Sequence, residues 1–145
     1  MSCAASGPKW RFLEMDKLRI LLVDDEPSFT RMLKMSLERR GFEVVAENNG
    51  AYAHTVAADF LPDFVFLDVI MPDVDGGEVA AKIRCNPKLK DVPIVFLTAA
   101  VSKETTRVKG NMIAGQTYLA KPTTVDEVVR CIEREMKKKA GAKSA

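Results

Sequence analysis

Apolar positions in this chain come in short solid runs, and longer stretches with apolar residues at helical spacing separate them. Leu18 to Val23 is the first run and Phe42 to Ala46 the second. Phe64-Val65-Phe66-Leu67 is the third. Val92 to Leu97 and Thr117-Tyr118-Leu119-Ala120 are the fourth and fifth. A brief continuous apolar run between turn residues predicts a strand buried on both faces, as a parallel sheet requires. Behind the first run, Pro27 suits the opening turn of a helix, where its missing N–H costs nothing. Phe29, Met32, Leu33, Ser36 and Leu37 then share one helical face, and Gly41 marks the stop. Asn48-Asn49-Gly50 reads as a turn. Ala51 to Phe60 reads as a weakly patterned helix closed by Pro62-Asp63.

After the third run, Pro72 forbids continuation as a central strand. Asp75 is placed to cap a helix carrying Val79, Ala80 and Ile83, which Asn86-Pro87 ends. Ser102 to Ile113 is expected to be a fourth helix. It is the most polar of the set, with Lys103, Glu104, Arg107 and Lys109, so its hold on the sheet should be the weakest. Ala114-Gly115 is the turn into the fifth strand. The last helix opens with Thr124 and Glu127 at capping-box spacing and buries Val125, Val128, Val129, Ile132 and Met136. Five strand–helix units in alternation predict an α/β fold, a doubly wound parallel sheet with right-handed crossovers.

Composition and charge exclude more than they select. At 145 residues, one domain is expected over 17–139, with an N-terminal tail at 1–16, read as flexible, and a C-terminal tail at 140–145. The tail stretch Lys9-Trp10-Arg11-Phe12-Leu13 is basic and aromatic. A net charge of +2 gives no reason to expect nucleic acid as a partner, and no apolar run approaches membrane-spanning length. Met1 to Gly7 lacks a basic region followed by an apolar core, so no secretory leader is expected. Cys3, Cys85 and Cys131 are widely spaced and accompanied by a single histidine, which argues against a disulfide framework or a zinc site and fits a cytoplasmic location. Cys85 and Cys131 read as small semi-buried residues on helices.

The polar residues that end the strands carry the candidate chemistry. The first strand ends in Asp24 and Asp25, the third in Asp68, the fourth in Thr98 and the fifth in Lys121. In a flavodoxin-like sheet of order 2-1-3-4-5 these ends converge on one crevice, at the edge where open α/β sheets bind ligands. Three carboxylates with one lysine leave an excess of negative charge that would push one carboxyl to protonate. A hard divalent cation with oxygen ligands relieves it, and Mg²⁺ suits a site of few carboxylates, waters and a phosphate.

Val23-Asp24-Asp25-Glu26-Pro27, Leu67-Asp68-Val69-Ile70-Met71-Pro72, Asp73-Val74-Asp75-Gly76, Thr98-Ala99 and Tyr118-Leu119-Ala120-Lys121-Pro122 occur in the order and at the spacings of a known pattern. Over residues 17 to about 139 the chain resembles the receiver domain of two-component response regulators, of the single-domain chemotaxis type. The resemblance implies that Asp68 accepts a phosphoryl group from a phosphohistidine on a sensor histidine kinase or phosphotransfer protein. It implies Mg²⁺, with Mn²⁺ as a substitute, on Asp25, Asp68 and the backbone carbonyl of Ile70, with Asp24 acting through water. Thr98 and Lys121 would stabilise the phosphoryl group. Thr98 and Tyr118 would form the switch, and Ile70 and Ala100 would tune dephosphorylation. Pro122 would shape the turn after the lysine. Readout would use the face of the fourth helix, fifth strand and fifth helix toward a downstream protein in trans, with the chain a monomer or weak dimer through that face. Such a protein catalyses its own phosphorylation and dephosphorylation without being a turnover enzyme. A phosphorylation-independent adaptor, or a module cut from a larger hybrid kinase or regulator, is the alternative. Two departures stand out: Ala114-Gly115-Gln116-Thr117 precedes the fifth strand, and the span from Thr98 to Lys121 is slightly long, so the fourth helix is expected to be displaced or extended.

Other patterns fit less well. Asp73-Val74-Asp75-Gly76 matches the Asp-x-Asp-Gly of haloacid-dehalogenase-type phosphatases, but Asp73 follows Met71-Pro72 rather than an apolar strand. It fails as an EF-hand loop because Met71 and Lys82 fall at the first and last ligand positions. His54, on an Ala-rich helix, reads as a solvated side chain.

Overall fold

A computed structural model describes residues 17–72, 74–99, 112–113, 116–121 and 123–144. The apolar runs form the strands β1 (Arg19–Val23), β2 (Glu43–Glu47), β3 (Phe64–Leu67), β6 (Ile94–Thr98) and β8 (Gln116–Ala120). These five run parallel in the order β2-β1-β3-β6-β8. In chain order of the parallel strands this is 2-1-3-4-5, the doubly wound arrangement expected from the sequence. The helices α1 (Pro27–Arg39), α2 (Ala53–Phe60), α3 (Gly76–Arg84) and α4 (Val125–Ser144) cover the two faces. The short strands β4 (Ile70–Met71) and β5 (Val74–Asp75) pair antiparallel just beyond β3.

Side chains alternate along a strand, so each solid run divides between two cores. Ile20, Leu22, Phe64, Phe66, Val95 and Leu97 pack with Leu33 and Leu37 of α1 and Val128 and Ile132 of α4. Leu21, Val23, Val65, Leu67, Ile94 and Phe96 pack with Ala57 and Phe60 of α2 and Val79 and Ile83 of α3. β3, at the centre, has no polar face because both of its faces are covered, whereas edge strand β2 exposes Glu43.

Local signals act where the sequence places them. Asp75 Oδ1 accepts the Gly77 amide at 2.8 Å and caps α3. Thr124 and Glu127 form the reciprocal capping box, with Thr124 N to Glu127 Oε1 at 3.0 Å and Glu127 N to Thr124 Oγ1 at 3.2 Å. Gly41 has φ +97°, the left-handed conformation that favours glycine after a helix. The predicted second helix divides into a 3₁₀ turn, Gly50–Tyr52, and α2. Asn49 Oδ1 accepts the Ala51 amide at 2.9 Å and holds that turn. The last helix continues to Ser144, into the stretch expected as a C-terminal tail.

The fourth helix is the main correction. Met112–Ile113, expected as its end, is instead a strand, β7, antiparallel to β8 through Met112↔Thr117 and Ile113↔Gln116. β7 adds a sixth, antiparallel edge to the sheet. Two residues are too few to show a periodicity, and a partner strand a few residues away in sequence decides their state. The rest of the expected helix, 102–111, lies outside the described residues, as do the tail at 1–16, Asp73, Ala100 and Pro122. Both cysteines depart from the semi-buried positions expected: Cys131 on α4 is fully buried, and Cys85, just past the end of α3, is exposed. His54 is exposed on α2.

Candidate functional site

Strand register builds the site. Val23 of β1 pairs with Leu67 of β3, so the next residues, Asp24 and Asp68, emerge side by side. Backbone bonds fix both: Asp24 N donates to Glu47 O at 3.2 Å, and Asp68 N donates to Val23 O at 2.9 Å. On the other side of β3, Thr98 of β6 pairs with Ala120 of β8, so the chain leaves β8 into Lys121 at the same rim. Asp24, Asp25 and Asp68 each offer an oxygen within 4.8 Å of the other two. Asp24 and Asp68 are buried, at 1% and 5% exposure, whereas Asp25 is exposed.

Each buried carboxylate spends one oxygen on its own turn. Asp24 Oδ1 accepts the Glu26 amide and Asp68 Oδ1 accepts the Ile70 amide, both at 3.0 Å. The other oxygens face Lys121, whose Nζ lies 2.5 Å from Asp24 Oδ2 and 3.3 Å from Asp68 Oδ2. Glu26 Oε1 is 3.8 Å away, and the Phe29 ring centroid 4.7 Å, on which the ammonium rests by its charge. Asp24 Oδ2 is buried, and its one close partner is the Lys121 ammonium, which leaves it lone-pair capacity for a further partner.

Burial pushes the Asp24 carboxyl above the ordinary carboxylate range, and the Asp68 charge adds to the rise. The Lys121 ammonium and the Glu26 amide pull the other way without cancelling it. Burial alone would lower Lys121, but the hydrogen bond and charge of Asp24, followed by those of Asp68, hold it above its usual value. Three carboxylates and one ammonium leave two negative charges in a partly dry site. The donors are all oxygen, Asp24 Oδ2 is buried with lone-pair capacity to spare, and the excess charge is that of one divalent cation. The residues therefore fit Mg²⁺ or Mn²⁺, hard cations that take oxygen ligands.

The other sequence-predicted residues fall around this cluster. Ile70 stands beside Asp68 with its side chain in solvent, 61% exposed. Tyr118 is half-buried on β8, its ring centroid 5.3 Å from that of Phe96 on the neighbouring strand. Thr98 closes β6, and its side chain, like Ala100, lies outside the described residues. A cleft of about 380 Å³, lined by Glu26, Phe29, Met32, Ala99, Lys121 and Thr123, opens at the lysine.

Several contributors were missed in the sequence. Phe29, read only as a core residue, lies under Lys121. Gly76 lets α3 start directly against the backbone of Asp68 and Val69. Asn48, read as a turn residue, reaches back to Asp24. These are contacts between segments distant in sequence. Only the Asp-Gly-Gly at the start of α3 hinted at a close approach.

The profile of the response regulator receiver domain family matches residues 20–133. The transcriptional regulatory protein SrrA of Staphylococcus aureus is 41% identical over 110 residues, covering 76% of this chain and 44% of that protein, so the chain spans less than half the length of this relative. Among solved structures, the chemotaxis protein CheY4 of Vibrio cholerae matches with TM-score 0.70 and 28% identity over 82% of this chain and 98% of that one. The signal receiver domain of a modulated diguanylate cyclase from Desulfovibrio desulfuricans G20, described as an example of alternate folding, matches with TM-score 0.67 and 31% identity over 86% and 98%. Fold, strand-end chemistry and these likenesses agree, and the chain belongs to the response regulator receiver domain family of two-component systems.

Proposed function

We propose that this receiver takes a phosphoryl group onto Asp68 from a phosphohistidine of a sensor histidine kinase or phosphotransfer protein, and that Mg²⁺ is its cofactor. The observation that carries this reading is the meeting of Asp24, Asp25 and Asp68 at one rim with Lys121 across two of them. An Asp68 oxygen attacks phosphorus while the bond from phosphorus to the donor nitrogen breaks. The electron pair stays on the imidazole, and an acyl phosphate forms on Asp68. Its Oδ1 is held by the Ile70 amide, which leaves Oδ2, the oxygen facing Lys121, as the nucleophile. Asp24, Asp25 and Asp68 would hold the metal with the Ile70 carbonyl, and the metal would neutralise charge on the transferring group. Lys121 pairs with the same group from the other side, and Thr98 at the end of β6 donates its hydroxyl to it.

The product carries more negative charge and more acceptor oxygens than the carboxylate it replaces. Thr98 moves toward them, and Tyr118 follows by repacking against Phe96. Ile70 and Ala100 set the access of water and so the lifetime of the phosphoryl group. The altered face on the Tyr118 side of the sheet then binds a protein target. Among the described residues no helix is long and apolar enough to cross a membrane. The function is tested by incubating the protein with Mg²⁺ and acetyl phosphate or phosphoramidate and reading the intact mass. One added phosphoryl group, dependent on Mg²⁺ and lost in Asp68→Ala, is expected. No adduct would leave a phosphorylation-independent adaptor as the better reading.

A further inference from the structure

Asn48 follows β2 and has no place in the phosphoryl chemistry. Its side chain nonetheless turns back across the sheet edge. Asn48 Nδ2 donates to the Asp24 carbonyl at 2.7 Å and to Thr30 Oγ1 at 2.9 Å. Thr30 is buried, and its hydroxyl lies 3.2 Å from the Pro27 carbonyl and 3.4 Å from that of Glu26. One amide group therefore ties the end of β2 to the turn that carries Asp24 and Asp25 and to the first turn of α1.

That turn needs outside support. The Asp24 side chain is buried beside that of Asp68, with Lys121 across both, and Asp25 is exposed next to it. Repulsion among the three carboxylates acts to open the cluster. Past Asp24 the β1–β2 ladder ends, so the last backbone tie of the turn to β2 is Asp24 N to Glu47 O, at a long 3.2 Å. A carbonyl that accepts a side-chain amide at 2.7 Å is held more firmly than that tie alone can hold it.

We infer that Asn48 is a positioning residue that fixes the Asp24–Asp25 turn in the geometry that binds the divalent cation, acting through the Asp24 carbonyl and Thr30. The inference rests on the function proposed above. Two measurements separate the two claims. In metal-free protein, Asn48→Ala should speed amide hydrogen exchange at Asp24 and Glu26 and leave the amide of Val65, deep in β3, unchanged. In a Mg²⁺ titration followed by amide shifts, the same variant should weaken binding about 3- to 10-fold, the effect of losing one or two hydrogen bonds. Thr30→Val removes the hydroxyl at nearly constant volume and should produce a smaller loss in the same direction. It also serves if Asn48→Ala does not fold. Asn49→Ala disturbs the same loop without touching Asp24 and should leave Mg²⁺ affinity within about twofold of wild type.

Exchange at Asp24 and Glu26 and Mg²⁺ affinity equal to wild type in both Asn48→Ala and Thr30→Val would overturn the inference. Equal losses in Asn49→Ala would overturn it too, because they would show a general loosening of the loop. If wild type itself fails to bind Mg²⁺, the proposed metal site fails, while the exchange measurement still decides whether Asn48 holds the turn.

Discussion

Gly76 shows how closely the fold and the site are built into one another. It is the first residue of α3 and is buried. A β-carbon there would stand 2.8 Å from Val69 Cα, 2.9 Å from Asp68 O and 3.1 Å from Val69 O. All three are backbone atoms, so no side chain can swing aside to make room. Gly76→Ala must push α3 away from the segment that carries Asp68. Adding a carbon to a close-packed site costs about 1–3 kcal/mol. The helix preference for alanine over glycine, up to about 1 kcal/mol, offsets part of this. For a 145-residue chain an unfolding entropy of about 2.1 cal/mol/K per residue makes each kcal/mol worth roughly 3 °C in Tm. Net of that offset, a fall of up to about 9 °C is expected in a metal-free thermal melt, together with shifts at the Asp68 and Ile70 amides. Gly77→Ala is the matched control, because its β-carbon meets only the Asp75 carboxylate, at 3.3 Å. A Gly76→Ala protein as stable as wild type, with the Asp68 amide unmoved, would refute the reasoning.

Three further outcomes follow from burial and charge. The raised Asp24 carboxyl favours folding while protonated, so its contribution is complete below the usual 3.8 and is lost as pH rises through its folded value. Asp24→Asn should therefore melt higher than wild type at pH 7 in EDTA and lose the stabilisation by Mg²⁺, about 2.7 kcal/mol at one hundred times Kd in wild type; a lower melt than wild type would contradict this. The Cys131 thiol is fully buried and pushed up to about 12 by that burial, so peptide-mapped alkylation of the native protein at pH 8 should label exposed Cys85 and spare Cys131 until urea is added. Leu37→Ala, at a fully buried α1 position, should lower unfolding stability by about 2–5 kcal/mol in a urea titration with the slope unchanged.

The sequence read best where the signal was local. Solid apolar runs identified the parallel strands because both of their faces are covered, and their alternation between two cores is the physical content of that pattern. The caps at Asp75 and Thr124 were legible because a cap is a bond between residues two or three apart. The strand ends Asp24, Asp25, Asp68 and Lys121 could be brought together once the strand order was assumed, since parallel register carries each of them to one rim. What failed depended on partners far along the chain or on segments too short to show a period. Met112–Ile113 became a strand by pairing with β8. Nothing near Asn48 in sequence reveals that it reaches Asp24, and the Asp75-Gly76-Gly77 run only hints that Gly76 abuts Asp68. Cys85 was read as semi-buried, but α3 ends at Arg84, one residue before it.

The central claim is that a single side chain, Asp68, carries the phosphoryl group. Borohydride reduces an acyl phosphate on aspartate to homoserine and leaves free carboxylates intact, so the acceptor can be read directly. The protein is incubated with phosphoramidate and Mg²⁺, treated with borohydride, digested and sequenced by tandem mass spectrometry. The account predicts homoserine at position 68 alone, and none when EDTA replaces Mg²⁺. Homoserine at Asp24 or Asp25, or at no position in a protein shown to be folded, would contradict it.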